Sequence, residues 1–154
     1  MQFTHLHVHS AFTFGEASSS IEELVERAKS LGMRRLALTD KNGLYGAVRF
    51  YRKARQAGIT PILGTELLLE ELYPLVLLAK TRRGYQNLCQ LISGMHHSSS
   101  PAPAVTPELL AEFSQDLIAL SGGPEGKICA LLKAGRRKEA ERAARELIAI
   151  FGRE

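Results

Sequence analysis

Histidines recur at every second residue near the amino end of this chain, in the run His5-Leu6-His7-Val8-His9. Alternate side chains of a strand share one face, so His7 and His9 are placed to point into one pocket. Neutral imidazole is the commonest side-chain ligand of transition metals. Buried as mere packing, each of three such rings would need its own polar partner. The alternative is a surface strand with solvated histidines. Two carboxylates can join them. Asp40 ends the run Leu36-Ala37-Leu38-Thr39, and Glu66 follows Gly64-Thr65. Asp at a strand end often just caps the next helix, whereas nothing local needs a carboxylate at Glu66. His96 and His97 are adjacent, so their side chains diverge and at most one serves a site. Gly122-Gly123 after Ser121 would admit a phosphate by close backbone approach, or form an ordinary turn.

Bringing these groups together requires strands that end near one another. Gln2 to Val8 alternates apolar and polar residues and reads as a strand. Ser20-Ile21-Glu22-Glu23 is a capping box. Behind it, Ile21, Leu24, Val25, Ala28 and Leu31 recur at helical spacing until Gly32. A second strand covers Leu36 to Thr39, and Lys41-Asn42-Gly43 reads as a turn. The stripe Leu44, Ala47, Val48, Tyr51, Ala54 predicts a helix ended by Gly58. Strands follow over Ile59 to Leu63 and Tyr73 to Ala79, then a helix carrying Leu88, Leu91 and Ile92. His96 to Ala104 is of low complexity and reads as a loop. Thr106 caps a helix with Pro107 at its first position. Leu117 to Ser121 is a fifth strand, and Ile128 to Phe151 is helical, with Arg136-Arg137-Lys138 between two segments. Strands and helices in alternation predict an α/β fold with a parallel sheet, barrel or open. Ligands in such folds gather at the carboxyl ends of strands, where His7, His9, Asp40, Glu66 and Ser121 fall.

The 154 residues suit one domain. An apolar fraction of 45% and a charged fraction of 23% exclude a largely disordered chain. The net charge of +4 is compatible with a nucleic-acid neighbour without demanding one. Cys89 and Cys129 form no CxxC pair, so neither a zinc ribbon nor a disulfide framework is indicated. The opening Met1-Gln2-Phe3-Thr4-His5 has neither the basic nor the apolar stretch of a signal peptide. No apolar run reaches the length of a membrane span. A cytoplasmic location, without a membrane partner, is expected.

Beyond these readings, the chain resembles a known family. His7-Val8-His9-Ser10 looks like the opening metal motif of PHP (polymerase and histidinol phosphatase) domains. Leu38-Thr39-Asp40, Gly46-Ala47-Val48 and the run from Gly58 to Glu66 follow in the order of the polymerase branch. Leu77-Leu78-Ala79-Lys80, Gly84-Tyr85-Gln86-Asn87-Leu88 and Leu120-Ser121-Gly122-Gly123 do so too. The resemblance implies a distorted, TIM-like (β/α)7 barrel, of which this chain would supply about five parallel strands with their helices. It implies the amino-terminal portion of a PHP domain over 1–154. The rest of the barrel and the polymerase domains of a DNA polymerase III alpha subunit or error-prone polymerase would lie beyond. A metal cluster at the strand ends is also implied, with His7, His9, Glu16, Asp40 and Glu66 as its ligands here, holding Zn, Mn or Mg. The implied partners are the polymerase domains of a parent chain or other replisome subunits, and DNA indirectly.

The metal pattern has gaps. Lys41 stands where the family has a His after the strand-end Asp, Pro74 where another His is usual, and Gly123 where a Cys or equivalent is usual. Glu16 replaces the usual Asp. An ammonium at Lys41 would repel a divalent cation, yet it could hold a phosphate or pair with Glu66. The resulting expectation is a metal-depleted structural or binding module of a DNA-directed DNA polymerase, inactive alone and with reduced metal occupancy. The alternative is a metal-dependent phosphoesterase or 3′–5′ exonuclease. A full barrel takes roughly 250 residues, so either a fragment of a larger gene product or a truncated relict is expected.

Overall fold

The computed structural model describes residues 3–69, 71–97 and 104–152. Two compact units are resolved, 1–65 and 66–154, the division falling inside one strand. Six α-helices and four strands are described, in the strand order β1-β2-β3-β4.

In the first unit, α1 (Ile21–Ser30) is opened by Ser20. The Ser20 side chain accepts from the Glu23 backbone amide, while the Glu23 carboxylate accepts from the Ser20 amide at 2.7 Å. This is the expected capping box, and the same amide and hydroxyl hold the Glu23 carboxyl below its usual range. β1 (Arg35–Leu38) runs parallel to β2 (Thr60–Leu68), with Leu38 opposite Leu63. Between them lies α2 (Ala47–Gln56). Ile21, Val25 and Ala28 of α1 and Phe50 and Ala54 of α2 pack with Leu36, Leu38 and Ile59 in a single apolar cluster. Removing that much apolar area from water is what fixes the two helices against the strands.

The expected strand Gln2 to Val8 is a correction: residues 3–10 have no strand assignment, and Gln2 lies outside the described residues. The segment still lies along β1. Ala37 N donates to His5 O at 3.0 Å and Thr39 N to Val8 O at 2.8 Å. Three residues on one side span two on the other, and the surplus is absorbed by a bend at Leu6 and His7.

In the second unit, β3 (Pro74–Ala79) and β4 (Leu117–Leu120) pair antiparallel, with Ala79 opposite Leu117 and Val76 opposite Leu120. The expectation of about five parallel strands is therefore corrected to a mixed sheet of four described strands. The reason is the corner at Asp116. α3 (Arg82–His97) and α4 (Pro107–Glu112) carry the chain away and back to the same end of β3. Lys80 N donates to Asp116 O at 2.9 Å, Thr81 Oγ1 to Asp116 Oδ2 at 2.7 Å and Arg83 Nε to Asp116 Oδ2 at 2.9 Å. The start of β4 is thereby clamped to the exit of β3. Gly84 makes room, since a Cβ there would strike the Asp116 carbonyl. β4 thus ends beside the start of β3, so Ser121 does not lie at the carboxyl end of β3, and Gly122 abuts Pro74.

α3 runs on through His96 and His97, which were expected in a loop; of that stretch, residues 98–103 lie outside the described residues. The closing helical region splits in two, into α5 (Lys127–Lys133) and α6 (Arg137–Phe151), but Arg137 and Lys138, expected between the segments, open α6; the two helices meet through Ile128, Leu131, Ala140 and Ala143. Among the described residues no helix is long and apolar enough to cross a membrane.

The Arg83 and Thr81 hydrogen bonds hold the Asp116 carboxyl below its usual range. A carboxyl depressed in the folded state contributes stability above its unfolded pKa, and that stability is lost as pH falls through the folded value. Asp116→Asn keeps a residue tolerant of the positive φ of 61°. It should lower the melting temperature at neutral pH, and the gap to the unmodified chain should narrow as pH falls below about 4. A gap independent of pH would contradict the clamp.

Candidate metal centre

The site starts from Asp40, which is only 2% exposed and lies two residues past the end of β1. Its carboxylate receives three protein donors. Ser10 N donates to Oδ1 at 2.6 Å, Ser10 Oγ to Oδ2 at 2.8 Å and Thr13 Oγ1 to Oδ1 at 3.0 Å. Both hydroxyl residues are buried. Asp40 is not a helix cap: the position before α2 is Gly46, with no side-chain cap. Charge-assisted bonds of this kind are stronger than neutral ones, and here they tie the segment carrying the histidines to the end of β1. Thr39 adds a second tie. Its hydroxyl accepts from Val8 N at 2.8 Å and lies 3.1 Å from Val8 O.

Between those ties, His7 and His9 face each other. Their Nε2 atoms are 3.1 Å apart and their rings meet edge-on at 4.9 Å. That separation suits a ring N–H···N hydrogen bond. It also suits two ligands of one ion, because nitrogens at about 2.0–2.1 Å from a tetrahedral zinc sit about 3.3 Å from each other. Glu66, 5% exposed, continues β2 one residue past Thr65. Its carboxylate and the two imidazoles each offer a ligand atom, and these lie within 4.8 Å of one another. Thr65 fixes the strand locally by donating its hydroxyl to Asp40 O at 2.8 Å.

Other sequence-predicted groups have different surroundings. Glu16 is exposed and accepts from Lys41 Nζ at 2.7 Å, so the cation that breaks the family's metal pattern is neutralised by a carboxylate of that pattern. The His5 ring packs edge-on against Phe3 at 4.7 Å. His97 contacts Ser93 O within its own helix at 2.7 Å. Ser10 and Thr13 were not foreseen as members of the site. Their only sequence signal is that they are small hydroxyl residues just past the histidine run.

Two imidazoles and a carboxylate on an α/β scaffold form a candidate metal centre. Residues 5–154 match the PHP domain family, and the chain belongs to it. It is 44% identical to an error-prone DNA polymerase of Symbiobacterium thermophilum, over 98% of this chain and 16% of that protein. It is 39% identical to the DNA polymerase III subunit alpha of Bacillus subtilis and also to that of Treponema pallidum. Each of those matches covers 99% of this chain and 14% of the relative. The chain thus spans 16% or less of the length of these curated relatives and matches their amino-terminal PHP region. Among solved structures, it superposes on a candidate metal-dependent phosphoesterase from Bifidobacterium adolescentis with a TM-score of 0.50. That match has 19% identity and covers 95% of this chain and 55% of the other, a likeness of fold.

Removing the Asp40 side chain strands three donors, two of them hydroxyls in buried residues, at about 1–3 kcal/mol each when unsatisfied. Asp40→Ala should therefore cost about 3 kcal/mol, while His7→Ala, at an exposed position, should change stability by less than about 0.5 kcal/mol. Thermal unfolding of the two variants distinguishes them; equal losses would show that Asp40 does not organise the segment.

Proposed function

We propose that this chain is the PHP-domain portion of a bacterial DNA polymerase of the III alpha or error-prone type, retaining one divalent-cation site. The (β/α)7 barrel expected from the family belongs to the same proposal, with the remaining strands and the polymerase domains in the parent protein. His7, His9 and Glu66 are the proposed ligands. The observation that carries the reading is the approach of their three ligand atoms to within 4.8 Å. Asp40 and Glu16, proposed from the sequence as further ligands, have competing roles. Asp40 accepts three protein hydrogen bonds, and Glu16 pairs with Lys41. A second ion would have to displace these contacts. A bound divalent cation supplies Lewis acidity toward a phosphoester and a lowered pKa for water. The residues of this chain orient two imidazoles and engage Asp40 and Glu16 in other contacts, which supports a binding or structural module over a multi-metal phosphoesterase. Polymerase domains in the same protein are its proposed partners.

Titration of the purified chain with zinc or manganese, read by calorimetry and by metal analysis after gel filtration, should give one equivalent per chain. His9→Ala and Glu66→Gln should each weaken binding at least tenfold, in line with loss of one of three ligands. Hydrolysis of an activated phosphodiester should stay at the level of the free metal. Two or three tightly held ions, with turnover, would establish the phosphoesterase reading instead.

A further inference from the structure

The net charge of this protein is not spread evenly. Residues 1–65 hold nine Lys and Arg against five Asp and Glu, while 66–154 hold eleven of each, so the whole +4 sits in the first unit. From Lys41 to Thr65 there are five cations and no carboxylate. Four of those cations are on α2, whose buried side is Ala47, Phe50 and Ala54. Arg49 points toward α1 and pairs with Glu22 at 2.9 Å. On another side of the helix, Val48, Tyr51, Arg52 and Arg55 follow at positions i, i+3, i+4 and i+7, which places them in one stripe. All four are exposed, Tyr51 by 50% and Val48 by 58%. Tyr45, 64% exposed, stands two residues ahead of the helix. Its ring lies over Gly43, where any Cβ would collide with it.

We propose that this face of α2 is a docking surface for single-stranded nucleic acid. Guanidinium groups match phosphate in geometry as well as charge. Exposed tyrosines offer faces on which bases stack without regard to sequence. A purely electrostatic surface would have no use for Tyr45, Val48 and Tyr51, whose apolar area is otherwise left in water. The surface shares no residue with the proposed ligand set, so the proposal does not rest on the metal reading.

The test is fluorescence anisotropy of an end-labelled oligothymidylate with the full chain, in EDTA, across a salt series. Binding in the micromolar range at low salt is expected, weakening steeply as salt rises. The double variant Arg52→Glu/Arg55→Glu should bind at least tenfold more weakly. The slope of log affinity against log salt should shrink by about 1.4, the loss of two phosphate contacts to a single strand. Tyr51→Ala should weaken binding about fivefold or more with the slope unchanged. Circular dichroism melting confirms that these surface variants fold. The proposal is overturned by an absence of binding at low salt, or by variants at Arg52 and Arg55 that bind normally. It is equally overturned by anionic vesicles or heparin binding through Arg52 and Arg55 while Tyr51→Ala has no effect on the oligonucleotide.

Discussion

A buried carboxylate accepting three hydrogen bonds is the constraint on which the site depends. Asp40 lies just past a short strand in a place without solvent, so its carboxyl oxygens must be met by donors, and those donors come from Ser10 and Thr13 about thirty residues earlier. An amino-terminal segment with no regular ladder of its own is thereby given a fixed position. The bend at Leu6 and His7 would be free to relax without it. With Ser10 and Thr13 anchored on one side and Val8 held by Thr39 on the other, His7 and His9 have little room to separate. The polar network serves the orientation of the proposed ligands, a division of labour common around metal sites.

The same network explains why sequence departures from the family's metal pattern need not empty the site. Lys41 follows Asp40 directly, so its charge is carried close to the carboxylate cluster. Its ammonium is met by Glu16, an exposed group, and exposed pairs contribute little to stability. Their value here is electrostatic: the pair cancels a positive charge that would otherwise oppose a cation at the histidines.

The histidine alternation was legible because a period of two survives even where the ladder is irregular, and the capping box at Ser20 because it depends on residues three apart. Glu66 stood out because no local role competed for it. Asp40 was legible as a site residue but not in its role, since its partners are distant in sequence and a helix cap explained it equally well. Strand direction was not legible at all. The pattern of Leu117 to Leu120 reads the same in either direction, and only the tertiary corner at Asp116 decides it. The end of α3 was misplaced because two histidines before a serine run resemble a loop, whereas buried Met95 holds the last turn in the helix. The family itself was legible throughout, because its motifs lie in order along nearly the whole chain.

X-ray absorption of the zinc-loaded chain tests the central claim most directly, because multiple scattering from imidazole rings counts histidine ligands independently of affinity. The account predicts two imidazoles per zinc, with nitrogen and oxygen neighbours at about 2.0–2.1 Å and no sulfur. A spectrum with one imidazole or none, or with sulfur at about 2.3 Å from Cys89 or Cys129, would contradict it.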